Sequence, residues 1–76
     1  MTANSYKILK YLKEHNGSTA KEVAAEVGIE KRLVDSYFSA AIAGGGLGER
    51  DRSVTPSKLV LNEQGLAYEQ AEDSEG

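Results

Sequence analysis

The chain has 76 residues, no cysteine and one histidine, and 39% of its residues are hydrophobic. A chain of this length forms one domain at most, and its composition excludes disulfides, thiolate metal sites and a multi-histidine metal centre within one chain. The formal net charge of −3 argues mildly against nucleic acid binding. However, four of the twelve acidic residues and none of the nine basic ones lie in residues 69–76, so the remaining body is nearly neutral.

The first helix is predicted over residues 5–15, where apolar side chains recur at helical spacing. One face of this segment carries Ile8, Leu9 and Leu12. The helix is expected to end at Asn16 and Gly17, because both residues tolerate the left-handed conformation of a helix C-terminus.

Two further helices are predicted on either side of Gly28. The shorter one begins at the capping-box pair Thr19 and Glu22 and runs to Val27. The longer one covers residues 30–43 with a broad apolar face of Leu33, Val34, Tyr37, Phe38, Ala41 and Ile42. The glycine-rich residues 44–48 then break the helix and are expected to form a flexible linker.

A two-stranded hairpin is predicted next, over residues 47–52 and 58–62, with a turn-rich connection between the strands. In the second strand Leu59 and Leu61 alternate with Lys58, Val60 and Asn62, which predicts that the two leucines share one apolar face. Asn62 is placed to cap a short C-terminal helix that carries Leu66 and Tyr68. We therefore expect one mainly helical α+β domain over residues 1–72, followed by a disordered acidic tail at 73–76.

Several classes of function are not supported by the sequence. One histidine with scattered serines gives no catalytic triad, and the glycine-rich segment lacks the Lys-Ser/Thr pair of a phosphate-binding loop. No stretch approaches the ~18 apolar residues of a membrane helix, and MTANSYK lacks the apolar core of a signal peptide. We expect a soluble cytoplasmic protein that is not an enzyme and has no metal, cofactor, small-molecule substrate or membrane partner.

The order of helix, short helix, glycine turn, longer helix and hairpin resembles the winged helix-turn-helix family over about residues 5–70. The likeness is carried by Ile8-Leu9 with Leu12, Asn16-Gly17, Thr19-Ala20-Lys21-Glu22-Val23-Ala24, Val27-Gly28-Ile29 and Leu47-Gly48-Glu49-Arg50. The segment Leu61-Asn62-Glu63-Gln64-Gly65 looks like the one that closes the wing in many bacterial regulators, and ILKYLKEHNG is similar to the very small fimbrial-operon regulators.

The resemblance implies three helices, a two-stranded β-wing and a short C-terminal helix, in a transcriptional regulator that binds double-stranded DNA. In such proteins the third helix enters the major groove and the wing touches the adjacent backbone. The positions on or beside the groove-facing side are Lys31, Arg32, Asp35, Ser36 and Ser39. The wing contacts are Arg50, Arg52 and Lys58. Because these contacts are few, useful affinity is expected to need a homodimer or a second protein.

Arg32, Ser36, Ser39, Arg50 and Arg52 also have a non-functional interpretation. Arg32 and the two serines suit base or phosphate contact, but they equally suit a solvated helix face. Arg50 and Arg52 suit phosphate contact, but they alternate with acidic residues, and a hairpin with self-compensating charges is an equal alternative. The pattern departs from the family at Glu30, at Asp35 and in the length of the glycine-rich segment.

The alternative function is a winged helix that binds protein and not DNA. It is favoured by the net charge of −3, by Glu30 and Asp35 at the third helix, and by the alanine-rich surface of that helix. The same fold serves both uses, so the fold alone does not decide between them.

Overall fold

The computed structural model describes residues 1–69. Its elements in chain order are α1 (Ala3–Glu14), β1 (Ser18–Thr19), α2 (Ala20–Val27), α3 (Lys31–Tyr37), a π-helical segment (Phe38–Ala43), β2 (Gly48–Asp51), β3 (Lys58–Leu61) and α4 (Glu63–Ala67). The fold is α+β and mainly helical, with one three-stranded antiparallel sheet. None of the helices in this part of the chain is long and apolar enough to cross a membrane. The predicted domain end at residue 72 and the acidic tail lie outside the described residues.

Side-chain caps set the ends of the first two helices. The first helix begins at Ala3 and not at residue 5, because the Thr2 hydroxyl accepts a hydrogen bond from the Ser5 backbone N–H at 3.2 Å. The predicted capping box of α2 is confirmed: the Thr19 hydroxyl accepts from the Glu22 N–H and the Glu22 carboxylate accepts from the Thr19 N–H. Gly28 ends α2 in the left-handed region at φ 74°, which disfavours any residue with a Cβ.

The third predicted helix is continuous but changes its winding. Residues 31–37 are α-helical, whereas Phe38–Ala43 is π-helical. Hydrogen bonds with five-residue spacing extend this wider winding to the Ile42 carbonyl, which accepts from the Leu47 N–H at 2.8 Å. Residues 44–46 continue from this segment as a hydrogen-bonded turn. The structure therefore differs from the flexible linker that the glycine-rich composition predicts.

The predicted hairpin is confirmed, but its strands belong to a larger sheet. β2 and β3 pair in antiparallel register from Gly48↔Leu61 to Asp51↔Lys58. The third strand, β1, pairs with the other edge of β3 through Ser18↔Leu59, which gives the sheet order β1-β3-β2. The prediction of a two-stranded sheet was therefore wrong. β1 is too short to show the alternation of apolar and polar residues by which a sequence reveals a strand. It forms because β3 supplies its hydrogen-bonding partner strand.

The core lies between the helices and the sheet, and its largest fully buried apolar side chains are Ile8, Leu9, Leu12, Val23, Val34, Phe38, Ile42 and Leu59. The predicted apolar faces of α1 and β3 are confirmed. The predicted face of the third helix was too broad, because Leu33 is 39% exposed. From Val34 onward, every fourth residue of this helix is fully buried, so Leu33 lies beside the buried stripe and not in it.

The C-terminal helix packs closely on the segment that precedes β2. The predicted Asn62 cap is confirmed, with its side-chain oxygen accepting from the Gly65 N–H at 2.9 Å. A Cβ at Gly65 would overlap the Leu47 carbonyl oxygen, so this contact requires glycine. Leu66 is 43% exposed, and Tyr68 follows the helix, half-buried in an edge-to-face contact with Tyr6.

Candidate nucleic-acid interface

The third helix exposes four of the five side chains that the sequence singled out on it, Lys31, Arg32, Ser36 and Ser39, whereas Asp35 is half-buried. Among the ion-paired residues of this helix, Arg32 has the most exposed side chain, at 82%. Its guanidinium lies 3.2 Å from the Glu30 carboxylate, which is itself 65% exposed. A pair this exposed contributes little to stability, so the Arg32 guanidinium is accessible to a ligand.

Arg50, by contrast, has its partners within the protein. Its Nη1 atom donates to Asp35 Oδ1 at 2.9 Å and its Nη2 atom donates to Ser39 Oγ at 3.3 Å. The guanidinium also lies over the Phe38 ring, 5.6 Å from its centroid, and only 20% of the side chain is exposed. Arg50 therefore ties β2 to the third helix, and most of its side chain is not available to phosphates.

Asp35 is the centre of this arrangement. Its second carboxylate oxygen lies 3.1 Å from the Lys31 ammonium, so one carboxylate pairs with two cations. Burial raises the pKa of Asp35, but the hydrogen bonds from Arg50 and Lys31 outweigh burial and lower that pKa below its usual value. Asp35 is therefore ionised at neutral pH and offsets part of the positive charge of its neighbours. Lys31, Asp35, Ser39 and Arg50 are called the Asp35 cluster below.

The far end of the hairpin carries the remaining two predicted cations. Asp51 and Lys58 face each other in the last register pair, and Arg52 follows directly after β2. Hydrogen bonds from the Ser53 hydroxyl and backbone N–H hold the pKa of Asp51 below its usual value. Arg52 and Lys58 are exposed, and neither forms a salt bridge with another described residue.

A small cleft joins the helices to the hairpin. Its volume is about 150 Å³, and its lining residues are Thr19, Ala20, Lys21, Lys31, Asp35, Arg50, Pro56 and Ser57. The N-terminus of α2, the exposed side of α3 and the hairpin loop therefore border one another. Of the predicted site residues, Lys31 and Arg50 meet in this cleft, whereas Lys58 lines a separate, open depression beside the loop that follows α1.

Sequence reasoning missed the Asp35–Arg50 pair and the position of Lys21 at the cleft. The sequence offered two interpretations of Arg50, phosphate contact or compensation within the hairpin, but its carboxylate partner lies fifteen positions earlier, on the third helix. The only sequence signal for this pair was the unusual carboxylate at position 35. No family model, curated protein or solved structure matches the chain. Functional inference therefore depends on this geometry.

Proposed function

We propose that this chain is a winged helix-turn-helix protein that binds double-stranded DNA and regulates transcription. The helix-turn-helix unit consists of α2, the turn at residues 28–30, and α3 with its π-helical extension. The hairpin of β2 and β3 is the wing. The order of these elements and the short turn between the two helices support the assignment.

One observation carries the proposal: the exposed polar residues of α3 stand beside a hairpin that Arg50 fixes to the same helix. The two Arg50 hydrogen bonds reach successive turns of the third helix, at Asp35 and Ser39. A helix and a hairpin held in this way form one continuous surface. Such a surface suits a recognition helix in the major groove with a wing on the neighbouring backbone.

The geometry supports different roles for the residues of this surface. Arg32 has the freedom to read a guanine through two hydrogen bonds, and Ser36 is exposed on the same helix as a donor to a base edge or a phosphate. Arg52 and Lys58 suit phosphate contact because both are exposed and neither forms a salt bridge with another described residue. We assign Arg50 to positioning the wing.

A second candidate function is protein binding by the same surface. Two observations favour it: Asp35 offsets the charge of Lys31 and Arg50, and Leu33 is exposed on α3. This candidate predicts a stable protein partner and no binding to duplex DNA at low salt.

The test is fluorescence anisotropy of a labelled mixed-sequence duplex, titrated with the protein at several salt concentrations. We expect binding that is strongest at about 20–50 mM salt and weakens as salt rises, because phosphate contacts release counterions. Arg32→Ala should lower affinity by about 1–3 kcal/mol if Arg32 reads a base.

Lys7→Ala is the matched control, since it removes one exposed positive charge from α1, outside the proposed surface. Equal losses in the two variants would remove Arg32 from the site. A wild-type protein that stays unbound at the lowest salt would overturn the DNA-binding proposal and favour the second candidate.

A further inference from the structure

We infer that residues 69–76, called the acidic segment below, dock on the lysine face of α1 and shield that face from other polyanions. The lysine face consists of Lys7, Lys10 and Lys13. The occupant of this face belongs to the same chain, so its docking does not require the proposed DNA binding.

The acidic segment and α1 carry opposite charge. Residues 69–76 hold four acidic side chains and no basic one, whereas α1 has three lysines and one acidic residue, Glu14. Residues three apart are neighbours on a helix surface, so the lysines form a continuous positive stripe. Lys7 is exposed and forms no salt bridge with another described residue. The described part of the chain therefore leaves positive charge on α1 that the acidic segment can offset.

The chain reaches the lysine face just before the acidic segment begins. The Tyr68 ring makes an edge-to-face contact with Tyr6 of α1, with the ring centroids 6.1 Å apart. The Lys10 ammonium lies 5.4 Å from the centroid of the same Tyr6 ring. The Lys13 ammonium donates a hydrogen bond to the Tyr68 backbone carbonyl. Glu69, the next residue, therefore starts the acidic segment beside the lysine face.

The acidic segment is long enough to follow the whole face. An α-helix rises 1.5 Å per residue, so Lys7 and Lys13 lie about 9 Å apart along the helix axis. An extended chain covers about 3.3 Å per residue, so Glu72 can lie up to about 13 Å from Tyr68. The carboxylates of the segment can therefore reach each of the three lysines.

Covalent connection favours this occupant over a separate polyanion. A short linker holds a second group at an effective concentration in the millimolar range, so exposed ion pairs that are individually weak are sufficient for docking. A separate polyanion must displace the acidic segment before it can bind the lysine face. Docking therefore limits the contribution of α1 to the binding of nucleic acid.

A nitroxide on the acidic segment tests the docking. The chain has no cysteine, so Ser74→Cys provides one attachment site in the otherwise intact, isotope-labelled protein. We expect the nitroxide to broaden the backbone amide signals of residues 7–13 most strongly at low salt. The broadening should disappear at about 1 M salt, where the Debye length is about 3 Å. It should also disappear in Glu72→Gln/Asp73→Asn, which removes two carboxylates of the segment.

Glu26→Gln/Glu49→Gln is the matched control, because it removes two exposed carboxylates from α2 and β2 and should keep the broadening. Broadening spread evenly over the domain would overturn the docking, and so would broadening of residues 7–13 that persists at high salt. Nitroxide-labelled protein mixed with isotope-labelled protein detects docking between copies. Broadening in the mixture as strong as within one chain would show that a second copy supplies the occupant, which contradicts the inference.

Shielding is measured with a fluorescently labelled heparin oligosaccharide, a polyanion without bases. Glu72→Gln/Asp73→Asn should bind it about two- to fivefold more tightly than Glu26→Gln/Glu49→Gln, the size expected for exposed ion pairs, although both variants have the same net charge. Adding Lys7→Gln to the first variant should remove most of this gain. Equal affinities of the two double variants would overturn the shielding, whereas a protein that fails to bind duplex DNA would overturn the proposed function alone.

Discussion

Replacing Asp35 by asparagine is expected to lower the stability of the fold while strengthening its binding to DNA. The substitution removes the charge that pairs with Arg50 at 2.9 Å and with Lys31 at 3.1 Å. The Arg50 pair is only 20% and 31% exposed, so it should contribute near the upper end of the range for solvent-accessible pairs. The Lys31 side chain is 61% exposed and adds little. We expect a loss of about 1 kcal/mol in the free energy of unfolding.

The effect on DNA binding has the opposite sign. A carboxylate about 7 Å from a phosphate in a water-like dielectric is repelled by about 0.6 kcal/mol, so its removal should raise affinity about threefold at low salt. If Lys31 or Arg50 then reaches a phosphate, the salt dependence should steepen by about 0.9 in the log–log slope. Urea unfolding and anisotropy titrations measure the two effects on the same samples.

Glu49→Gln is the matched control, because Glu49 is an exposed residue of β2 that lies outside the Asp35 cluster and undergoes the same change of charge. It should leave stability nearly unchanged. The reasoning would be refuted if Asp35→Asn unfolded at the same urea concentration as the wild type, or if its gain in affinity were no larger than that of Glu49→Gln.

The stability difference between wild type and Asp35→Asn should also depend on pH. The folded-state pKa of Asp35 is lowered, because hydrogen bonds from Arg50 and Lys31 outweigh the effect of burial. A lowered pKa of a carboxyl group contributes stability that is complete above the unfolded value of about 3.9 and is lost as pH falls through the folded value. The difference between the two proteins should therefore persist at neutral pH and shrink on acidification below about pH 4. A difference that stayed constant at acid pH would show that Asp35 acts by packing and not by charge.

Two further predictions concern the core and α4. Phe38→Ala should destabilise the fold by about 3–5 kcal/mol, because the ring is 1% exposed and its loss leaves a cavity; Ser36→Ala, at an exposed position of α3, is the control, and equal urea midpoints for the two variants would contradict the assignment of Phe38 to the core. Gly65→Ala should cost about 1–3 kcal/mol, because a Cβ there overlaps the Leu47 carbonyl oxygen. Thermal unfolding beside Gln64→Ala, at the exposed neighbouring position, tests this, and an unchanged midpoint for Gly65→Ala would mean that the contact is not present.

The parts of the fold that the sequence predicted depend on local rules. The capping box of Thr19 and Glu22 and the end of α2 at Gly28 involve residues close together in the chain, and the structure has both. The alternation of Leu59 and Leu61 likewise predicted a half-buried strand, and both side chains are buried. In each case, the interaction that decides the structure lies within one segment.

The parts that were missed depend on distant partners. β1 exists because Ser18 pairs with Leu59, far along the chain, and its own two residues carry no strand pattern. For Arg50 the sequence left phosphate contact and compensation by its acidic neighbours as equal alternatives, and neither indicated that its carboxylate partner is Asp35 on the third helix. The exposure of Leu33 was missed for a similar reason. Helical spacing places Leu33 beside the apolar face of the third helix, and only the packed structure shows how narrow the buried part of that face is.

The most direct test of the central proposal is a titration of isotope-labelled protein with a mixed-sequence duplex at low salt, followed through backbone amide chemical shifts. If α3 and the hairpin form the DNA-binding surface, the shifts should concentrate in residues 30–39 and 50–58 and fade as salt rises. A spectrum that stays unchanged at about 20–50 mM salt, where electrostatic binding is strongest, would contradict DNA binding by this surface.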